Sequence, residues 1–442
     1  MPVGDIVSGY TFVPAEKNID QTKLNAIAGQ ATIAPAFISG QTPASSTGSG
    51  DYFVFLQSTG ALAKILTQDL ATSIGSSSGM TSAITAVRLR SFNAVGNPNF
   101  EVDQRTVGST ITFATPATTW VQDRWQPLKV GVATGVVTAA RTTGAITVPG
   151  TNFAISTYYQ RMTLSTAQAT LLAGDIVWLG QTIEGCVSRE IGSDVNSLSI
   201  LARSSVANLS FGVAIRDSSV SRSLVKLCQL GAANTWTLIP LPNLPAFVAG
   251  GSWTYGAGVA GYLFSITLAS GTTYITPAND VWQTGNYIGA VGQSNFLAQA
   301  VNSTLDIGFV QHEPGPLCTT LIDKPFSQNL DECLRYFASS YVYGTKAGTV
   351  ANPGVKTMIA PISQAAMFGS VQFPKVMAKV PTVTIYNHAT GAANSIRDGG
   401  AVDHAGATAT NIGDAGFGTI TFTTATTGPM VCYAHYTSDT GW

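Results

Sequence analysis

Short runs in which apolar and polar residues alternate make up most of the chain between about residue 80 and residue 325. Examples are DIVWLGQTI from Asp175, NLSFGVAIRD from Asn208 and TLDIGFVQHE from Thr304. A period of two is typical of a β-strand with one buried face, and Gly, Pro, Asn or Asp bound each run at a turn. Many short strands with regular turns predict a sandwich or jelly roll rather than alternating strands and helices.

One segment, which begins at Lys324, departs from the strand pattern. KPFSQNLDECLRYFASSYVYG places apolar residues at helical spacing, with Ser327 as a candidate N-cap. Asp331 and Glu332 would lie in the first turns, where negative charge is favourable to the helix dipole. We therefore predict a junction helix between two β domains. Its apolar face would consist of Leu330, Cys333, Leu334, Phe337 and Tyr341.

The first 80 residues have a different pattern from the rest. The segment DYFVFLQSTGALAKIL from Asp51 predicts a hairpin, and GSSSG from Gly75 is typical of a flexible joint. Short helices are predicted after Asp20 and Thr67, each of which can serve as an N-cap. Large apolar residues are too few here for a generous core, so we expect partners to complete it.

Strands return after about Met358, in SVQFPKVM, PTVTIYN, GTITFTT and MVCYAHYTS. The predicted fold class is all-β, with jelly-roll or β-sandwich domains in series, a small mixed N-terminal segment and one junction helix. The predicted domains are an N-terminal module over 1–80, a jelly-roll β-sandwich over 81–325, and the junction helix with a C-terminal β-sandwich over 326–442.

Charge is scarce, because Asp, Glu, Lys and Arg make up 10% of the 442 residues. Ordinary soluble domains carry about 25%. Like-charge repulsion keeps surfaces apart, so this content favours a chain that is covered by sister chains in a fixed assembly. The balance of 22 Lys and Arg against 23 Asp and Glu gives no basic patch for nucleic acid. We also expect no Sec-type signal, because the N-terminus has no basic region followed by an apolar core. No membrane insertion is expected either, since glycines break the most apolar stretch.

The five cysteines are scattered, and none forms a CxxC pair. This spacing indicates buried small hydrophobic residues rather than a disulfide framework or a zinc site. We therefore expect no metal and no cofactor, and synthesis in a reducing cytoplasm.

Three passages resemble tail-fibre, head-fibre and spike proteins of bacteriophages. The first runs from GYTFVPAEKNIDQTKLNAIAGQATIAP to GDYFVFLQSTGALAKILTQDL. The second runs from NPNFEVDQR through DRW, TIEG, NLSFGVAIRDSS, NTWTLIPLP and SGTTYITPANDVW to FVQHEPGP and DECLRYF. The third runs from SVQFPKVMAKVPTVTIYN to VCYAHYTSDTGW. One departure is His312, which stands where we expect an apolar residue.

The resemblance implies a virion-anchoring N-terminal module, a jelly roll similar to carbohydrate-binding domains and a terminal β-sandwich. It also implies a homotrimer in the virion, assembled in the host cytoplasm, whose N-terminus has phage capsid, portal or tail proteins as partners. Whether such a fibre is on the head or the tail stays open. The residues expected to anchor it are Tyr10, Phe12, Leu24, Asp51, Tyr52 and Phe53.

The predicted function is that of a fibre or spike subunit without enzymatic activity, which contacts host glycans by weak multivalent binding. Aromatic faces beside amides suit sugar rings, although the same residues could instead form the core or an oligomer interface. A polar loop region of the C-terminal domain could also meet a sugar, or serve only its turns. The candidates are Trp253, Tyr255, Trp282, Tyr287, His388, Asp398 and His404.

Two other functions stay open. A host-polysaccharide depolymerase would need two carboxylates about 5–9 Å apart. The best local pairs are Asp175 with Glu184 and Glu190 with Asp194, although a turn residue or a satisfied buried acid is the structural alternative. A purely structural head decoration or connector fibre would have no receptor role.

Overall fold

The computed structural model describes residues 52–56, 62–66, 92–114, 120–151, 154–361 and 365–442. The chain divides into two compact units, residues 1–88 and residues 89–442. The domain boundaries expected near residues 80 and 325 stay predictions.

The described part of the first unit is the β-hairpin that the sequence predicts. Strand β1 (Tyr52–Leu56) pairs antiparallel with β2 (Leu62–Leu66), and Phe53 lies opposite Ile65. The hairpin is therefore confirmed, and it includes two residues expected in the anchor, Tyr52 and Phe53. The remaining anchor residues and both predicted helices lie outside the described residues; the anchor residues concerned are Tyr10, Phe12, Leu24 and Asp51.

In the described part of the second unit, two six-stranded antiparallel sheets form a sandwich. The first has the order β13 (Trp282–Thr284), β10 (Arg222–Gln229), β9 (Ser210–Asp217), β12 (Ala260–Ser270), β7 (Ile176–Glu184) and β4 (Gln126–Val130). The second has the order β11 (Thr237–Leu244), β8 (Asn196–Ser204), β14 (Thr304–Pro314), β6 (Ala154–Thr166), β5 (Val136–Thr147) and β3 (Ile111–Thr112). Neighbouring strands that are distant in sequence are typical of jelly-roll crossovers. The predicted all-β sandwich is confirmed.

The sandwich core lies between the two sheets, and alternation along each strand decides which side chains enter it. On β9, Phe211, Val213 and Ile215 join this core, whereas Ala214 belongs to a smaller apolar cluster on the outer face. Trp125 is fully buried in the core, and its indole nitrogen donates to a backbone carbonyl. Burial of one such side chain stabilises the fold by about 2–3 kcal/mol.

His312 is fully buried in the sandwich, at the position where an apolar residue is expected. Its Nδ1 lies 2.6 Å from the Tyr262 hydroxyl, and its Nε2 lies 2.9 Å from Oδ1 of Asn196. Because an amide oxygen only accepts, Nε2 carries the proton and Tyr262 donates to Nδ1. Burial lowers the pKa of His312 to about 3, so the ring is neutral. A polar residue is tolerated here because both ring nitrogens are paired.

The C-terminal sheet contains nine strands within the described residues and is arranged around the long strand β23 (Met430–Asp439). Cys432, Ala434 and Tyr436 of β23 enter a second hydrophobic core, so the alternate residues of this strand face the other way. The main path is β20 (Asp403–Ala405), β19 (Ser395–Asp398), β23, β16 (Lys356–Ala360), β17 (Ala366–Gln372), β22 (Gly416–Thr421) and β21 (Thr408–Thr410). Strands β15 (Phe337–Ser339) and β18 (Thr382–Tyr386) pair with β23 beside this path.

The described residues contain two short α-helices. Helix α1 (Gly185–Gly192) follows β7 directly and is not predicted by the sequence, because it has few apolar residues. Helix α2 (Phe326–Leu334) is the predicted junction helix, with Pro325 rather than Ser327 at the N-cap.

The apolar face predicted for the junction helix was too long. The helix ends at Leu334, and Phe337 begins strand β15, where it lies opposite Asp439. Tyr341 follows that strand and stacks on His435 with ring centroids 3.9 Å apart. Pairing with β23 therefore overrides the helical spacing of these two aromatic residues.

Candidate ligand-binding clefts

The two tryptophans among the predicted glycan residues lie together beside an edge strand of the sandwich. The rings of Trp253 and Trp282 are 5.2 Å apart between centroids, and Trp253 also stacks on Phe247 at 4.1 Å. The indole N–H groups donate to the carbonyls of Val248 and Ala246, at 2.7 and 2.9 Å. Both rings are half-buried against the sandwich core. Their polar atoms are used within the protein, and their role in glycan binding stays a prediction.

The two predicted tyrosines have different surroundings. Tyr255 is 42% exposed. Tyr287 packs against the apolar cluster that contains Ala214, on the outer face of the first sheet. Trp253 and Trp282 pack on the core side, so the structure does not gather the four aromatic residues into one site.

His404 and Asp398 form a buried pair in the C-terminal sheet, with each residue about 3% exposed. His404 Nε2 lies 3.1 Å from Asp398 Oδ2, and Nδ1 lies 2.8 Å from the carbonyl of Thr424. Both imidazole nitrogens of His404 therefore face an acceptor, a carboxylate on one side and a carbonyl on the other. Burial raises the pKa of Asp398, but hydrogen bonds from the Val402 amide and His404 outweigh it and hold the pKa below its usual value. The pair fixes neighbouring loops.

His388, the third polar candidate, is half-buried, with its ring 5.4 Å from that of Tyr433. Burial lowers the pKa of His388. Among the described residues, no group of three or more His, Cys, Asp or Glu side chains is arranged to hold a metal ion. The helices of this part of the chain are also too short or too polar to cross a membrane.

Arg105 joins the sandwich to the C-terminal sheet. Its side chain is 5% exposed, and both terminal nitrogens donate to the carboxylate of Asp439 on β23. The guanidinium lies between the rings of Trp120 and Phe337, 4.0 and 4.4 Å from their centroids. This cation is therefore held by a carboxylate and by two aromatic faces.

A cleft of about 560 Å³ opens beside Arg105, and we call it the polar cleft. The sandwich and the C-terminal sheet both contribute to its walls. The lining residues are Arg105, Trp120, Gln126, Phe337, Ala347, Thr382, Thr384, Tyr386, Thr437, Asp439, Thr440 and Gly441.

Strand register explains one wall of the polar cleft. On β18, Thr382, Thr384 and Tyr386 alternate with residues of the other face, so their side chains share one side of the sheet. Thr382 lies opposite Asp439, and Thr384 lies opposite Thr437 on β23. Two adjacent strands therefore present a row of hydroxyls that ends in a carboxylate.

Several polar groups of this wall are free to meet a ligand. Within the described residues, the hydroxyls of Thr382, Thr384, Thr437 and Tyr386 make no side-chain hydrogen bond, and Asp439 is 31% exposed. Hydroxyls both donate and accept, which matches the alternating donors and acceptors of a sugar. An aromatic ring beside them can cover the apolar face of a sugar ring. The arrangement can bind a neutral polyol without a cofactor.

A second cleft of about 350 Å³, which we call the basic cleft, is lined by the sandwich, by helix α2 and by Lys375. It carries four cationic side chains on otherwise mostly apolar walls. The lining residues are Phe92, Asn93, Ala94, Gly96, Arg124, Ile183, Glu184, Cys186, Val187, Lys324, Glu332, Cys333, Arg335, Tyr336 and Lys375.

Glu184 is the most heavily bonded side chain of the basic cleft. It is 1% exposed and accepts two hydrogen bonds from Arg335, at 2.6 and 2.9 Å. The Tyr336 hydroxyl and the Gly258 amide donate to it at 2.7 and 2.8 Å. Burial raises the pKa of Glu184, but these donors outweigh it and hold the pKa below its usual value. Glu184 is therefore a satisfied, ionised carboxylate.

The first carboxylate pair suggested by the sequence does not converge. Asp175 and Glu184 lie at opposite ends of β7, which at about 3.3 Å per residue places them more than about 20 Å apart. Glu190 is an exposed partner of its neighbour Arg189, and Asp194 accepts from a backbone amide. In the basic cleft, Glu184 and Glu332 are each bonded to a cation.

Most residues of both clefts are not predicted by the sequence. The alternation of Thr382, Thr384 and Tyr386 with buried Ile385 was a usable signal, since it assigns them to one face. No local pattern indicates that Arg105 meets Asp439, because the two are 334 positions apart. Such contacts depend on how the sandwich and the C-terminal sheet pack.

Comparison with known proteins gives structural similarity only. No family model and no curated protein matches the sequence. Among solved structures, TmCBM61 in complex with β-1,4-galactotriose is 10% identical, covers 51% of this chain and 100% of its own, and has a TM-score of 0.25. A family 11 carbohydrate-binding module from Clostridium thermocellum is 9% identical, with coverages of 48% and 98% and a TM-score of 0.24.

A phage protein is also among the similar structures. The enzymatically active domain of tailspike protein 4 from bacteriophage CBA120 is 13% identical and has a TM-score of 0.24. The match covers 50% of this chain and 21% of the tailspike chain. All three TM-scores are below 0.5, so the fold assignment depends on the strand pairing of this chain.

Proposed function

We propose that this chain is a phage fibre or spike subunit that binds host-surface glycans, with the polar cleft as its sugar site. The observation that carries glycan binding is the row of unbonded hydroxyls on Thr382, Thr384 and Thr437 beside the ring of Tyr386. Sugars present apolar C–H faces and hydroxyl edges, and binding sites for them combine aromatic surface with a few placed polar groups.

The virion part of the proposal is supported by the sequence resemblance and by composition. The first unit would attach to the particle through the module that contains the β1–β2 hairpin, and the second unit would meet the host. A charged fraction of 10% suits a homotrimer in which sister chains cover much of the surface. We propose that the subunit has no enzymatic activity and that its location is the virion.

Weak sites are sufficient for such a subunit. A cleft with partly exposed hydroxyls gives modest affinity, since one hydrogen bond contributes about 0.5–1.5 kcal/mol net. Several linked copies on one particle can raise the overall avidity by about 10²–10⁴ without a new contact.

The sugar site is tested by glycan-array binding of the full chain, followed by calorimetric titration of the best oligosaccharide. Thr382 is exposed, so Thr382→Arg fills the polar cleft without disturbing the core. The control is Thr147→Arg, at an exposed position of strand β5 in the sandwich. We expect Thr382→Arg to weaken binding more than tenfold and Thr147→Arg to leave it unchanged. Equal binding by Thr382→Arg would refute the polar cleft, and a blank array would refute glycan binding.

The virion part has separate tests. Purified chain added before infection should reduce adsorption of particles that carry it, and light scattering should give the mass of a trimer. A monomeric mass at working concentration would contradict the trimer. Release of reducing ends from host polysaccharide would contradict the proposal that the subunit is not an enzyme.

A further inference from the structure

Arg124 is held in the wall of the basic cleft with part of its hydrogen-bonding capacity unused. The residue is 4% exposed, its Nη2 donates to the carbonyl of Thr182 at 2.5 Å, and its guanidinium lies 3.6 Å above the ring of Tyr336. Neither Nε nor Nη1 has a hydrogen-bond partner within the described residues. A buried donor without a partner costs free energy, so an acceptor placed here would be stabilising.

The other cations of the basic cleft already have carboxylate partners. Lys324 bonds to Glu332 at 2.8 Å, Arg335 bonds to Glu184 at 2.6 Å, and Lys375 bonds to Asp331. Arg124 forms no salt bridge within the described residues, and an arginine side chain keeps its charge in proteins. Arg124 is therefore the one lining cation of the basic cleft without a carboxylate ion pair in the part of the chain that the structure describes.

The size and walls of the cleft restrict the ligand. A volume of about 350 Å³ is at the lower end for ligand sites. The apolar walls include Phe92, Ile183 and Val187, and they suit a compact ring rather than a free inorganic ion. Glu184 and Glu332 in the same walls would repel a dianion, so a single carboxylate matches the spare charge better than a phosphate does.

We propose that the basic cleft binds the carboxylate of an acidic sugar unit, a uronic acid, through Arg124. The identification of the ligand as a sugar rests on the proposed function, whereas the anion site rests on Arg124 alone. The carboxylate would accept from the unpaired guanidinium nitrogens after a small shift of the side chain, and the apolar walls would cover the ring. The chain would then bind neutral sugar units in the polar cleft and acidic sugar units in the basic cleft.

The test uses the unmodified protein and two of its own thiols. Cys186 lines the basic cleft and is half-buried, whereas Cys318 is also half-buried but lies outside the cleft. We expect sodium galacturonate to slow alkylation of Cys186 several-fold, measured by mass spectrometry, and to leave Cys318 unchanged. Galactose should protect neither thiol. Equal protection by galactose, acetate or inorganic phosphate, or no protection at saturating galacturonate, would overturn the proposal.

Variants separate this site from the polar cleft. Arg124→Met should abolish the protection, whereas Arg216→Met, which also replaces a buried arginine with an unpaired Nε, should keep it. Thr382→Arg should block neutral glycans and leave the protection of Cys186 intact. Protection of Cys186 that survives Arg124→Met would refute the role of Arg124 in binding. Protection that is lost in Thr382→Arg would refute a separate acidic site in the basic cleft. If only neutral glycans bind, the acidic site fails and the proposed function stands.

Discussion

The two clefts between the sandwich and the C-terminal sheet use charge in opposite ways. In the polar cleft the one lining cation, Arg105, is held by Asp439 and two aromatic rings, and the free groups are neutral hydroxyls. In the basic cleft three cations are paired, and one guanidinium, that of Arg124, is not. Neighbouring parts of one chain therefore produce sites that suit different ligands.

This difference distinguishes charged groups that bond to each other within the protein from groups that can bond to a ligand. Glu184 and Arg335 are bonded to each other, and Arg105 is paired with Asp439 through its two terminal nitrogens. A fully satisfied group has little to offer a ligand, because a new bond must replace an existing one. The hydroxyl of Thr384 and the unpaired nitrogens of Arg124 can bond to a ligand without giving up a hydrogen bond within the described residues.

The largest effect should come from Glu184→Ala, which removes the acceptor of four hydrogen bonds from Arg335, Tyr336 and Gly258. We expect the free energy of unfolding to fall by about 3–5 kcal/mol, because a buried pair is broken. The control is Asp331→Ala, which removes the 59% exposed partner of Lys375 in the same cleft and should cost no more than about 1 kcal/mol. If denaturant titrations give similar losses of unfolding free energy for the two variants, the hydrogen bonds to Glu184 do not stabilise the fold more than an exposed ion pair does.

A second effect should come from Asp123, which precedes Arg124 in the same turn and accepts from the Gln104 amide at 2.6 Å. Burial raises the pKa of Asp123 to about 6 from 3.8. The folded state thus keeps a proton that the unfolded state loses, so this contribution to stability is present below pH 3.8 and is lost as the pH rises through 6.

Asp123→Asn should remove that dependence. Relative to the variant, the wild type should lose about 1–3 kcal/mol of unfolding free energy between pH 4 and pH 7. The measurement is denaturant unfolding of both proteins at four pH values. The depressed pKa of Glu184 has the opposite sign, since its contribution is lost as the pH falls below 4.5, and it is common to both proteins. A difference that does not change with pH would contradict the prediction.

Much of the fold could be predicted because strand alternation is local. The runs at Asp175, Asn208 and Thr304 became β7, β9 and β14, and the hairpin at Tyr52 was also recovered. The end of the junction helix could not be predicted, because Phe337 joins β23 through a partner about a hundred positions away. Helical spacing and strand pairing compete at such residues, and tertiary contacts decide.

The ligand sites were harder to predict than the fold. Trp253 and Trp282 have the residue type expected for a sugar site, but their indole nitrogens bond to backbone carbonyls. Glu184 could be recognised as a possible satisfied acid, yet its partner Arg335 is 151 positions away. Residue type indicates which bonds a side chain can make. Tertiary packing decides whether its polar atoms already have partners within the protein.

A third prediction concerns the ion pair of the polar cleft. A double-mutant cycle with Arg105→Met and Asp439→Asn should give a coupling energy of about 1 kcal/mol, modest because Asp439 is 31% exposed. The coupling should shrink in 1 M salt, since exposed charges are screened. Additive losses of stability would indicate that the aromatic rings alone hold Arg105.

The smallest effect on stability should come from Thr384→Val, which removes one hydroxyl of the polar cleft and keeps the shape of the side chain. Its hydroxyl makes no hydrogen bond within the described residues, so unfolding free energy should change by less than about 0.5 kcal/mol. The affinity for a glycan that binds in this cleft should still fall about three- to tenfold, the value of one hydrogen bond. Thr410→Val, on β21, is the control, because its hydroxyl bonds to a carbonyl of the neighbouring strand. If both variants bind the glycan equally well, the free hydroxyls of β18 do not contact the sugar, and the distinction between free and satisfied groups fails at the polar cleft.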